Sequence, residues 1–404
     1  MSGGEVAQEA GRIAVIDLLR GIAVLGILAI NITSFGAAPS AAYSPDLPAP
    51  GGAGDRIAWL IGFVIFEGKM RALFSLLFGA GLVLLVERAE AQGRNGAAWQ
   101  RRRLTWLAVI GALHFVLLWE GDILLLYALV GFAAFALRRL PARDLAAAGL
   151  LLFAAWQAWG AIQWLPAVAA EQNAGHADSA EVQRAVRQPW RDYDVESLAL
   201  ARETFARRAL RTVRERAAQP FEVLYYMAGE TLAYQLLGMA LAKGLFFAGG
   251  WSRRGLRRLA LAGVGSGGAV TIAAAAYAVR SGFPEVTMRY AIGYGLGFAH
   301  LAMALGYAAA TVLAAPRLAT TRFGKALGAA GRMALSNYIG TSLVMTALFR
   351  GWGLGLIGRY GPATLWLFVL LGWALMLTGS TWWLARHRQG PLERGWRALA
   401  RPYA

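Results

Sequence analysis

The chain has 404 residues, 57% of them hydrophobic and 16% charged, and a formal net charge of +17. A soluble domain carries about 25% charged residues, so this composition excludes an ordinary soluble globule and points to helices that satisfy their own backbone bonds inside a bilayer. Cysteine is absent, which excludes disulfides, iron–sulfur clusters and thiolate chemistry. His114, His176, His300 and His387 lack metal-ligand spacing, so no metal site is expected.

The chain begins MSGGEVAQEAGR. This stretch has acids and no basic n-region, and the apolar run after it is too long for the core of a cleaved signal, so the first helix is expected to remain as an anchor. Apolar runs predict spans near 14–35, 57–87, 104–118, 121–138, 144–165, 220–248, 259–280, 291–313, 333–350 and 362–385. The second is interrupted by Glu67-Gly68-Lys69-Met70-Arg71, and residues 55–68 are alternatively a helix lying at the interface. The expected fold is an all-α, polytopic integral membrane bundle of about ten helices, within a range of nine to twelve. It is treated as one transmembrane domain over 1–404.

The arginines cluster in alternate short connections, as at Arg101 to Arg103, Arg138 and Arg139, and Arg253 to Arg258. This bias places both termini in the cytoplasm. It also assigns the positive charge to topology and anionic lipid headgroups, not to nucleic acid. Residues 166–219, with nine arginines and eight acids, read as a periplasmic helical excursion, either a solvated cap or a lid over an outward-facing cavity. The glycines of FGAG (78–81) and GYGLG (293–297) are read as close helix packing.

Polar residues inside apolar spans mark candidate sites. Arg20 stands at the cytoplasmic mouth of the first span, and Asn31 lies eleven residues on, about 16 Å along a helix. His114 falls near the outer turn that holds Glu120 and Asp122. Asn31, His114 and Asp122 therefore share a depth, as do Glu67, Lys69 and Arg71 if 55–68 lies at the outer interface. A histidine beside a carboxylate in a low-dielectric cavity can act as a general base, and an asparagine amide can support a reacting carbonyl. Lys69 and Arg71 suit an anionic group. The plainer alternatives are a buried His114 bonded to a neighbouring helix and an Asp122 that caps a helix start. Asp17 and Arg20, three apart, form either a local ion pair or a phosphate site. Arg332, Ser336 and Asn337 cap or pack the ninth span, or line the same cytoplasmic entrance.

The blocks RIAVIDLLRGIAVLGILAIN, FEGKMRALFSLLFGAG, LHFVLLWEGDILLLYALVG, GRMALSNYIGTSL and GPLERGWR resemble the YeiB-like bacterial membrane proteins, the domain of unknown function 418, over almost the whole chain. A transport role has been suggested for members. The first block is also similar to the wider group of transmembrane acyltransferases, which includes the heparan-glucosaminide acetyltransferase-like enzymes. That group shares an arginine followed eleven residues later by a polar residue, as Arg20 and Asn31 stand here. The glycan-modifying members carry histidine at the Asn31 position. The heparan-type enzymes carry one at the position of Ala42. His114 would therefore supply the base from another helix.

The resemblance implies an acyltransferase-like protein of the bacterial inner membrane, moving an acyl group from a cytoplasmic donor to an acceptor at the outer face. His114, Asp122 and Asn31 would be catalytic. Asp17, Arg20, Glu67, Lys69, Arg71, Glu120, Arg332, Ser336 and Asn337 would bind substrate. No permanently bound cofactor is expected, with acyl-CoA as co-substrate. The expected partners are membrane lipids and a small-molecule or lipid-linked substrate, with a homodimer left open. The alternative function is a transporter of a small anionic or lipidic solute using the same residues.

Overall fold

A computed structural model describes residues 3–176 and 180–400. Those residues form helices and turns, with no strand among them. Six helical stretches are long and apolar enough to cross a membrane. They lie in α1 (Gly3–Gly36), in the broken helix made of α2 (Ala53–Ile61) and α3 (Lys69–Glu90), and in α6 (Ala142–His176), α10 (Arg253–Arg280), α12 (Gly297–Leu318) and α15 (Pro362–Leu384). α5 (Leu124–Ala136) and α14 (Ala334–Phe349) are apolar but shorter. α4 (Gly96–Leu117) and α9 (Gln219–Lys243) occupy the two remaining expected spans. Arg101 to Arg103 in α4, and Glu230, Gln235 and tyrosines in α9, dilute their hydropathy. The chain is a multi-pass, all-helical membrane protein.

Burial sorts these helices into centre and perimeter. In α1, 72% of the apolar stretch is buried, against 28% in α6 and in α15. α1 is therefore the central post, and the outer helices present leucines such as Leu151 and Leu367 to lipid. α3 and α9 lie back to back because glycines let their backbones touch. A Cβ on Gly79 would fall 2.0 Å from the Gln235 carbonyl oxygen, and one on Gly238 would fall 1.9 Å from that of Leu76.

The expected interruption of the second span is a π-helical turn at Gly62–Phe66 followed by a break at Glu67 and Gly68. Gly68 has φ +74°, the left-handed region that favours glycine. The His300 ring occupies the space that a side chain there would need. α2 is held to α15, with Ala363 N–H donating to Asp55 (2.9 Å) and Trp366 Nε1 donating to the Ala58 carbonyl (3.1 Å). A second π turn at Ala291–Gly295 joins α11 (Glu285–Tyr290) to α12. The GYGLG glycines are only partly a packing device, since Gly293 faces open space while Gly297 abuts Gln157.

The excursion is helical, as α7 (Ala180–Leu200) and α8 (Phe205–Glu215), and it is docked. Arg208 is buried and donates to the Phe115 and Val116 carbonyls, both at 3.3 Å. These carbonyls end α4 and have no helical partner of their own. Burial lowers the Arg208 pKa to about 10, with Glu120 opposing, so the guanidinium stays charged at neutral pH. Asp194, buried on α7, accepts from the N–H and hydroxyl of Ser40. At the other end of the bundle, α13 (Arg322–Arg332) and α16 (Pro391–Ala400) are short amphipathic helices beside Arg20.

Candidate active site

α4 stops at Leu117 and α5 starts at Leu124, and the turn between them reaches the Asn31 end of α1, where Trp119 packs on Phe35 at 4.3 Å. Asp122 occupies this turn and uses both carboxylate oxygens. One accepts the Leu125 N–H at 2.8 Å, satisfying an orphan donor of α5. The other meets His114 Nδ1 at 2.8 Å, with both side chains almost wholly buried. The same carboxylate therefore caps α5 and bonds His114. A carboxylate can only accept, so in a neutral imidazole Nδ1 carries the hydrogen and Nε2 the lone pair. Nε2 is buried without a hydrogen-bond partner. The ring lies 5.2 Å from that of Tyr338, whose hydroxyl sits 3.4 Å from Ile123 N and 3.5 Å from the Gly121 carbonyl.

Tyr338 also forms the inner wall of a cavity of about 180 Å³ that opens at the Arg20 end. Its mouth holds Arg20, Arg332 and Arg397, and its deep half holds Phe74, Leu107, Tyr127 and Leu124. A second hollow of about 260 Å³ shares Arg20, Arg332, Glu393 and Arg397 and adds Asp17, Arg88 and Arg388. Together they make one cleft with a cationic mouth and an apolar interior. Asp17 and Arg20 pair across its rim at 3.6 Å. Arg332 lines both hollows and donates to the Arg388 carbonyl at 3.0 Å.

The remaining expected site residues divide by partner. Asn31 lines a small separate cavity of about 10 Å³ on another side of Tyr338, with Phe35 and Ser342. Asp122 lines a fourth hollow, also of about 10 Å³, with Glu120 and Val223. Tyr338 thus lines both the cleft and the Asn31 cavity and packs beside His114 of the His114–Asp122 pair. Glu120 is held by Arg211 (3.5 Å) and Arg216 (3.6 Å), which fasten the excursion to the 118–123 turn. Ser336 donates its N–H (3.0 Å) and hydroxyl (2.5 Å) to Glu393, tying α14 to α16. Asn337 donates to the Ala330 carbonyl (3.0 Å) and to Ser380 (2.9 Å), tying α13 to α15. These two polar side chains spend their hydrogen bonds inside the fold.

Glu67, Lys69 and Arg71 join a second interior group. Arg71 pairs with Glu230 at 3.0 Å, and Tyr234 donates to the other Glu230 oxygen at 3.2 Å. Lys69, fully buried, donates to the Phe63 carbonyl at 2.8 Å, which the π turn leaves available. Ser75 bonds the Tyr127 hydroxyl at 2.8 Å and donates to the Arg71 carbonyl at 2.9 Å. The cleft wall is thereby linked to this group. Buried His300 keeps an unpartnered Nε2, while the Nδ1 edge of its ring lies against Gly68. Among the described residues no three His, Asp or Glu side chains stand together in a way that could hold a metal ion.

Sequence reasoning missed Tyr338, Tyr127, Arg103 and Glu230. Glu230, an acid inside an apolar run, carried a readable signal. The tyrosines and Arg103 did not, because their roles depend on depth and on neighbours far along the chain.

A fold of this kind defines a class of multi-pass membrane protein with a polar centre buried among its helices. Residues 240–402 match the family described as "Protein of unknown function (DUF418)". The chain is 31% identical over 396 residues to the uncharacterised protein YeiB of Escherichia coli, covering 95% of each chain. It is 29% identical over 408 residues to the uncharacterised protein YxaH of Bacillus subtilis, covering 96% of this chain and 94% of that one. A shorter stretch, 120 residues at 34% identity, matches an uncharacterised 39.9 kDa protein of Bacillus acidopullulyticus, over 30% of this chain and 32% of that one. The chain belongs to the YeiB-like DUF418 family. No solved structure matches it.

Proposed function

We propose that this protein is an acyltransferase of the bacterial cytoplasmic membrane. The observation that carries the reading is a buried His114–Asp122 pair with an open Nε2, set behind Tyr338 at the blind end of an arginine-mouthed cleft. The basic end faces the cytoplasm, as the loop charges favour. There the arginines bind the charged portion of an acyl donor, a coenzyme A thioester, and its acyl chain enters the apolar half. His114 Nε2 takes the proton of an acceptor hydroxyl as that oxygen attacks the acyl carbon. The bond from carbon to sulfur breaks, and the proton passes to the leaving thiolate. Asp122 holds the imidazole in the required tautomer and stabilises its charged form, and Asn31 offers its amide to the reacting carbonyl. Tyr338 must turn aside for the three to meet.

A transporter of an anionic or lipidic solute is the second reading. It is favoured by the interior group of Glu67, Lys69, Arg71, Glu230 and His300, since ionisable groups buried in a membrane often relay protons or bind cargo. The two readings separate in purified protein supplied with acyl-labelled coenzyme A thioesters. Acyl transfer predicts covalent consumption of the donor, reduced about 10²- to 10⁴-fold in His114→Ala. A solute accumulated in vesicles without any covalent change would overturn the enzyme reading.

A further inference from the structure

We propose that Arg103 binds the anionic group of an amphiphile whose hydrocarbon chain occupies the deep half of the cleft. This rests on the reading above only in taking that cleft as a ligand site. Arg103 is 9% exposed. Its guanidinium is clasped between the rings of Trp99 (4.9 Å) and Trp396 (4.3 Å). Trp396 Nε1 donates to the Arg103 carbonyl at 2.9 Å, so α16 fixes the backbone as well as the side chain.

Among the described residues the charge so placed lacks a counter-ion. Its side-chain contacts among the described residues are a long bond to Gln100 (3.5 Å) and the two indoles, and its Nε is buried without a partner. The carboxylates that line the cleft are already engaged, Asp17 by Arg20 and Glu393 by Ser336. A buried cation without an anion is costly, and two aromatic faces offset that only in part. An anion supplied by a ligand completes the site.

Position then selects the ligand. On the mouth side of Arg103 the cleft is lined by Arg20 and Arg397, and on the inner side by Leu104, Leu107, Leu77 and Phe74. One guanidinium fork, suited to a phosphate or carboxylate, thus stands at the boundary between charge and hydrocarbon. The matching molecule carries a single anionic head joined directly to an alkyl chain, as a lipid phosphate or a fatty carboxylate does.

The test uses full-length protein in a non-ionic maltoside, with no acceptor present. Octyl phosphate, octanoate, octanol and inorganic phosphate are titrated while tryptophan fluorescence is followed, because Trp99 and Trp396 flank the site. At least one charged octyl compound should bind about tenfold or more tighter than octanol, and the better one names the head group. Inorganic phosphate should not compete. Arg103→Gln should weaken the preferred compound about tenfold or more, and Arg103→Lys, which keeps the charge but loses the fork, by a smaller factor. Octanol binding equal to the charged compounds, competition by inorganic phosphate, or unchanged affinity in whichever variant folds would overturn the proposal. Turnover is not measured, so a failed transfer assay and a failed binding assay are separate results.

Discussion

Asp122 does two things that usually fall to separate residues. One oxygen satisfies the first turn of α5, and the other fixes the tautomer of His114. An Asp122→Asn substitution divides these roles. The amide can still offer one acceptor oxygen to Leu125, but it cannot accept a second bond from Nδ1 through its nitrogen. The imidazole then loses the bond that keeps the hydrogen on Nδ1, and Nε2 no longer stands open as a base. Acyl transfer by Asp122→Asn should fall about 10²-fold or more, while the stability of the protein falls by about 1–3 kcal/mol. Rate and thermal midpoint, measured together in detergent, check this. A full rate in a folded Asp122→Asn protein would remove His114 from the chemistry. The sequence made this pair legible, because a histidine and an acid eight residues apart flank one turn. It did not make Tyr338 legible, since that contact joins residues more than two hundred positions apart.

Helix pairing decides whether the site exists at all. α3 carries Lys69, Arg71 and Ser75, and α9 carries Glu230, Tyr234 and Gln235. The Arg71–Glu230 ion pair between them forms only because Gly79 and Gly238 let the two backbones touch. Gly238→Val should destabilise the protein by about 1–3 kcal/mol or more through overpacking against the Leu76 carbonyl. Gly265→Ala in α10, where nothing lies within 4 Å, should be neutral or stabilising by up to about 1 kcal/mol. Thermal unfolding of the two variants in one detergent compares them, and equal midpoints would contradict the packing argument. The helices were readable from their apolar runs, and the break at Glu67 and Gly68 from the polar residues interrupting one. Partner choice was not readable, because periodicity marks a buried face without saying what covers it. Ser336 and Asn337 illustrate this. Both are polar residues at a helix mouth, and only the positions of Glu393 and Ser380 show that they tie helices together.

At the scale of the molecule, the two ends of the bundle are built differently. The Arg20 end is open and cationic, with a cleft running inward to Tyr338. The Asn31 end is closed by α7 and α8, fastened through Arg208 to the end of α4 and through Arg211 and Arg216 to Glu120. An acyltransferase of the kind proposed would admit one substrate along the cleft and keep the other behind a docked cover. The excursion is therefore a cap in its contacts, and a lid only if those ion pairs part. The length of 166–219 was visible in the sequence, but its docking was not, because an arginine that caps distant carbonyls looks like any solvated arginine. The central claim is that the cleft delivers an acyl group to His114. A structure of the protein with a thioether analogue of an acyl-coenzyme A tests it most directly. Density is expected with the charged portion among Arg20, Arg332 and Arg397, and the acyl end displacing Tyr338 beside a His114 still bonded to Asp122. An analogue bound outside the cleft, or one that fills it while Tyr338 continues to wall off His114, would contradict it.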